Sequence, residues 1–127
     1  MQIGIDVGAT KIESVVLEKD GQEKHRSRIP SPKDYTQIIT AIRDIHRKLE
    51  QDFKQELPIG VCHPGVHSPQ TGLVKNAPNI KASGSKIFMM LERDMAKFTL
   101  KSSINLSASK SCFLFNSKIS FVFKFFL

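Results

Sequence analysis

One run near the start of the chain combines residue types that could bind phosphate: Ile3-Gly4-Ile5-Asp6-Val7-Gly8-Ala9-Thr10-Lys11-Ile12-Glu13, continuing into Ser14-Val15-Val16-Leu17. Ile3, Ile5 and Val7 alternate as in a half-buried strand, and Ile12 to Leu17 reads as a second strand. A tight hairpin with Gly8-Ala9-Thr10 at its tip gathers backbone N–H groups and a hydroxyl, with no bulky side chain in the way. Such a concavity suits phosphate oxygens. Asp6, at the end of the first strand, faces the same space, where its carboxylate could hold a metal ion bridging the phosphates. The same spacing also fits a plain structural turn capped by an aspartate, and the motif alone does not separate the two.

The elements that must position this hairpin follow in order. Glu18-Lys19-Asp20-Gly21-Gln22 is a turn centred on Asp-Gly, and Glu23 to Ile29 is a third strand, polar enough for a sheet edge. Pro30-Ser31-Pro32 stops that strand. Ser31 as N-cap, Pro32 at N1 and Asp34 at N3 start a helix over about Pro32 to Phe53. Ile38, Ile42, Ile45 and Leu49, with Ile39 beside them, give it one apolar stripe. Ile59-Gly60-Val61-Cys62 is a brief buried strand, made a parallel neighbour of the meander by the helical crossover. His63-Pro64-Gly65 ends it where ligands of α/β sheets gather. Ser68 to Gly72 is a turn, Leu73-Val74-Lys75 a short extended piece, and Asn76 to Asn79 an irregular polar loop. The expected fold class is therefore α/β: a three-stranded antiparallel meander plus a parallel strand with a crossover helix.

Bulk properties narrow the class further. A chain of 127 residues with 40% apolar and 24% charged residues is an ordinary soluble domain able to bury a core. Cys62 and Cys112 lie far apart and suggest no disulfide scaffold. The opening strand is no charged and apolar leader, so a cytoplasmic location is expected. The formal charge of +7 is unevenly spread: residues 1–80 hold eleven Lys/Arg against ten Asp/Glu, and residues 81–127 hold eight against two. Lys86 to Lys97 can form a helix and Phe98 to Leu106 a strand. Seven of the nine phenylalanines fall in 98–127, interrupted by lysines that make this region a poor spanning helix; Phe121 to Leu127 is an aggregation-prone run. The basic balance belongs to this tail, whose lysines stand among phenylalanines without arginine. No specific nucleic-acid recognition and no membrane span are expected.

Three spaced motifs carry a family resemblance. Asp6-x-Gly8-x-Thr10-Lys11-Ile12-Glu13, Gly60-Val61-Cys62-His63-Pro64-Gly65 and Thr71-Gly72-Leu73-Val74-Lys75-Asn76-Ala77-Pro78-Asn79 together resemble the ROK family (repressors, open reading frames and kinases). The match is strongest over residues 1–80 and most similar to the fructokinase-like members. The resemblance implies the N-terminal lobe of the actin-like ATPase (ribonuclease H-like, hexokinase) fold. It implies an ATP-dependent hexose kinase that moves the γ-phosphoryl group of Mg·ATP to a sugar hydroxyl, with fructose or glucose as the hexose. Asp6, Gly8, Ala9, Thr10 and Lys11 then belong to the nucleotide site, Asp6 also to Mg2+, and the loops around Gly65 and Asn79 to the sugar side.

Departures from the family pattern shape the expected activity. Ala9 stands where most members have Gly. Lys81-Ala82-Ser83-Gly84-Ser85-Lys86 replaces a Trp-Leu-Asn-Gly-x-Pro-like run. The Asp that serves the family as general base aligns with Ser109, and its neighbouring Asn with Ala108, and a serine hydroxyl is no base at neutral pH. The second lobe and the family's His/Cys3 zinc site have no counterpart in this sequence. Residues 1–106 are thus expected as an incomplete N-terminal lobe and 107–127 as a poorly ordered tail. The expected function is that of a truncated hexose kinase fragment, inactive by itself. A non-catalytic nucleotide-, sugar- or partner-binding module is the alternative, with self-association through exposed apolar surface.

Overall fold

A computed structural model describes residues 1–68, 70–71, 73–75, 102–107 and 110–115. Strands β1 (Gln2–Val7), β2 (Lys11–Leu17) and β3 (Glu23–Pro30) form the meander, α1 (Tyr35–Phe53) follows, and β4 (Ile59–Pro64) returns to the sheet. Two short strands, β5 (Val66–His67) and β6 (Val74–Lys75), pair with each other, and a later hairpin is made of β7 (Ser102–Ser107) and β8 (Lys110–Phe115). The main sheet runs β3-β2-β1-β4-β8-β7. β1 is antiparallel to β2 and parallel to β4, as a helical crossover requires.

Period-2 alternation in β1 decides which face meets the helix. Ile3, Ile5 and Val7 share a face with Ile12 and Val16 of β2 and with Ile59 and Val61 of β4, and these form one core with Ile38, Ile39, Ile42 and Leu49 of α1. Each of these side chains is at most 3% exposed. The opposite face is closed as well: Val15 and Leu17 are fully buried, and Cys62 is nearly so. At the far end of α1, Phe53 meets His25 of β3 edge-on, with ring centroids 6.4 Å apart. β3 alternates exposed and half-buried residues, as an edge strand does.

The turn at Asp20-Gly21 forms as its sequence requires. Gly21 adopts φ 88°, Asp20 Oδ1 accepts the Gln22 N–H at 2.9 Å, and Glu18 accepts the Gly21 N–H.

Helix α1 starts later than its sequence pattern predicts. Asp34, not Ser31, is the N-cap, and its carboxylate accepts the Gln37 N–H at 3.2 Å. Ser31 precedes Pro32, which favours the extended geometry that keeps Ser31 in line with β3. Its N–H is already committed to the Thr10 carbonyl at 3.0 Å, which prolongs the strand pairing by one step.

The buried stripe of α1 contains one residue its apolar spacing omits. His46 is 3% exposed, and its Nε2 lies 3.0 Å from the Leu57 carbonyl. A carbonyl only accepts, so Nε2 carries the proton. Glu50 accepts the Leu57 N–H at 3.1 Å. This polar clasp fixes the link from α1 to β4.

The strand content exceeds the four main-sheet strands expected from the first part of the chain. β7 and β8 pair with each other antiparallel, and β8 pairs with β4, which extends the main sheet by this hairpin. The predicted helix over Lys86–Lys97 and the Phe121–Leu127 run lie outside the described residues.

Candidate functional site

The β1–β2 hairpin closes through one short hydrogen bond, from the Gly8 N–H to the Lys11 carbonyl at 2.8 Å. Gly8 does not take a positive φ. Its need for glycine is steric, because a Cβ built there would stand 2.9 Å from the Lys11 carbonyl oxygen. The Gly8 N–H is therefore spent inside the turn, which leaves the tip residues Ala9 and Thr10, both exposed, to present the loop to solvent. The Thr10 carbonyl accepts the Ser31 N–H, so the loop is braced from the end of β3 as well.

Asp6 is half-buried on β1, the register partner of Glu13 on one side and of Cys62 on the other. Register partners share a face, so Asp6 and Glu13 stand side by side on the face opposite α1. Two adjacent carboxylates repel unless compensated, and Glu13 is compensated heavily. It pairs with Arg26, with Arg28 at 3.0 Å and with Lys11 Nζ at 3.2 Å. The Arg26 guanidinium, ahead of the opposing effect of burial, and then Lys11 and Arg28 hold the Glu13 carboxyl down to about 2. Arg26 is held charged in turn by Glu23 and Glu13. Lys11 is parked on this carboxylate while remaining about half exposed at 48%.

Chain direction gathers the other predicted residues at the same end of the sheet. β4 runs parallel to β1, so Pro64 and Gly65 leave it at the end where Gly8 leaves β1. Gly65 takes φ 95°, a conformation that favours glycine. α1 begins at this end too, because β3 delivers the chain there. β5 and β6 close a small hairpin just beyond, where Leu73 accepts the Ser68 N–H at 3.0 Å and Val74 enters the core. His63 is fully buried, and its Nδ1 donates to the Pro64 carbonyl at 2.7 Å. The structure thus brings Asp6, Gly8, Ala9, Thr10, Lys11 and Gly65 to one end of the sheet. Asn79 and Ser109 lie outside the described residues.

Two surface grooves, one lined by Arg47, Glu50, Gln51 and Gln55 and one by Met1, Glu18, Asp20 and Lys24, sit at the other end and contain none of these residues. Sequence reading passed over the Arg26 and Arg28 contribution. The alternation of β3, which places both opposite β2 with Arg28 facing Glu13, was its available signal.

A meander, a crossover helix and a parallel fourth strand, with a glycine hairpin and a strand-end glycine at one end, define a lobe of the actin-like ATPase and hexokinase fold. The chain belongs to the ROK family: the family model matches residues 2–118. The match reaches beyond the motifs of the first 80 residues and takes in β7 and β8. An N-acetyl-D-glucosamine kinase of Haemophilus influenzae (strain 86-028NP) is 32% identical over 87 residues, which are 68% of this chain and 28% of that relative. One from Yersinia pestis bv. Antiqua (strain Nepal516) is 26% identical over 114 residues, 89% of this chain and 43% of the relative. This chain therefore spans less than half the length of these relatives. Among solved structures, a ROK family glucokinase from Streptomyces griseus in complex with glucose and AMPPNP superposes with a TM-score of 0.63 at 22% identity, covering 75% of this chain and 30% of that one. An inorganic polyphosphate/ATP-glucomannokinase from Arthrobacter sp. strain KM gives 0.63 at 24% identity, covering 75% of this chain and 40% of that one. At such identities the likeness establishes the fold. Among the described residues no helix is long and apolar enough to cross a membrane.

Proposed function

We propose that this chain carries the nucleotide-phosphate half of a hexose kinase site and binds Mg·ATP through the hairpin from Asp6 to Lys11. The observation that carries the reading is the convergence of that hairpin with Gly65 at one end of the sheet, in a chain of the ROK family. Ala9 and Thr10 offer exposed backbone and a hydroxyl to phosphate oxygens, and Lys11 offers a cation that can leave Glu13, because two arginines remain to neutralise that carboxylate. Asp6 supplies a hard oxygen donor at the hairpin's base. Among the described residues no cluster of three or more ligating side chains exists. Mg2+ is commonly held by one or two carboxylates together with the nucleotide's own phosphates. When bound, the ion would neutralise charge on the transferring phosphoryl group.

The relatives named above act on glucose or N-acetyl-D-glucosamine, so the sugar class proposed is an aldohexose or its N-acetylamino derivative, bound near Gly65 and Asn79 in the cytoplasm. The resemblance of the Thr71-Gly72-Leu73-Val74-Lys75-Asn76 run to fructokinase-like members keeps fructose as a test substrate. Base catalysis requires a group that takes the sugar hydroxyl's proton, and the family's aspartate position is occupied by Ser109. The chain by itself is therefore a binding lobe without turnover. Sugar-dependent ADP release should stay at background with glucose, fructose and N-acetyl-D-glucosamine, while Mg·ATP binds and Asp6→Asn weakens that binding. Sugar-dependent ADP release above background would overturn the assignment of a non-catalytic lobe.

A further inference from the structure

We infer that Cys62 and Cys112 join in a disulfide across β4 and β8, and that this bond is a redox-sensitive clasp beside Asp6. Cys62 is disulfide-bonded, and the chain has only one other cysteine. That cysteine, Cys112, is the register partner of Cys62 in the antiparallel β4–β8 pair. Directly opposed residues of such a pair lie about 4.5–5.5 Å apart at Cα, inside the range of about 4.4–6.8 Å that a disulfide spans. The bond departs from the sequence expectation because fifty intervening positions hide a proximity that only sheet pairing creates. Cys62 is also the register partner of Asp6. Asp6, Cys62 and Cys112 are thus successive register partners across β1, β4 and β8. Closing the clasp fastens the β7–β8 hairpin to the strand that borders the phosphate loop.

The oxidant is a low-molecular-weight disulfide such as oxidised glutathione. One cysteine thiolate attacks a sulfur of the small disulfide and displaces a small thiol. The other cysteine thiolate then attacks the protein sulfur of the mixed disulfide and displaces the second small thiol. Two electrons pass to the small disulfide, and the two cysteine protons leave with the released thiols. In a reducing compartment the pair rests as two thiols and closes under oxidant. Cys62 is 2% exposed, so exchange proceeds through local opening of the outer strands.

The test equilibrates the full chain in buffers of graded reduced-to-oxidised glutathione ratio, alkylates free thiols, digests with trypsin and reads peptides by mass spectrometry. The expected product joins residues 55–75 to residues 111–118, rises with the oxidised share and vanishes on reduction. The oxidised chain should melt about 10 °C above the reduced one, and Cys112→Ser should abolish that difference. Separately alkylated peptides at every ratio, cross-links only between two copies, or equal melting temperatures would overturn the proposal. The wild-type measurement decides even where the variant does not fold. None of these readouts requires nucleotide, so the outcome is independent of the proposed function.

Discussion

At the scale of single residues, the hairpin depends on two contacts that its sequence only half reveals. The glycine at position 8 is legible as a loop residue, but the sequence does not say whether it serves dihedral freedom or close approach. The structure decides for close approach, since the Lys11 carbonyl occupies the place a methyl group would need. Gly8→Ala is expected to destabilise the chain by about 1–3 kcal/mol, as for other forced overpacking, in denaturant unfolding. A neutral substitution would show that the turn relaxes freely. Glu13 is the second case. Its folded carboxyl lies at about 2 against an ordinary 4.5, because Arg26, Lys11 and Arg28 favour the charged form. A lowered folded value means stability that is present above about 4.5 and lost as pH falls toward about 2. Wild-type stability should therefore drop through that window, and Glu13→Gln should flatten the drop while lowering stability at neutral pH. An unchanged acid profile would contradict the ion cluster. The cluster was only half legible: the alternation of β3 hints at it, but its partners lie 13 and 15 positions apart across two strands.

At the scale of elements, the periodicities named nearly every strand and the helix, while the boundaries depended on competition for hydrogen bonds. Ser31 has the chemistry of an N-cap, yet its N–H is drawn into the sheet by Thr10, and Asp34 takes the capping role. Asp34→Ala should cost about 1 kcal/mol of stability. Ser31→Ala should cost nothing or stabilise slightly, because the Ser31 hydroxyl oxygen is buried without a hydrogen-bond partner among the described residues. Unfolding curves in which Ser31→Ala proves the more damaging variant would restore the cap inferred from sequence. The stripe of α1 was readable from Ile38, Ile42 and Leu49. His46 was not, because its burial is made possible by the Leu57 carbonyl, eleven positions away and placed by tertiary folding. Pairing between β4 and β8 was hidden for the same reason, since its register partners are distant in sequence and meet only in the sheet.

At the scale of the whole molecule, the fold explains why a weak motif becomes a candidate site. Alone, Asp6 to Glu13 is a hairpin with a glycine. The crossover through α1 brings β4 alongside β1, so two loops separated by more than fifty positions leave the sheet at the same end. The grooves lined by charged side chains lie at the other end and compete as a binding place. The central claim is that the hairpin end binds nucleotide phosphates. The direct measurement titrates Mg·ATP into the isotopically labelled chain and follows the backbone amide resonances. Saturable shifts at Ala9, Thr10 and Lys11, with affinity falling at least about tenfold in Asp6→Asn (about 1.4 kcal/mol), are predicted. Amides that stay silent at the hairpin, respond only around the opposite grooves, or respond equally in Asp6→Asn would contradict it.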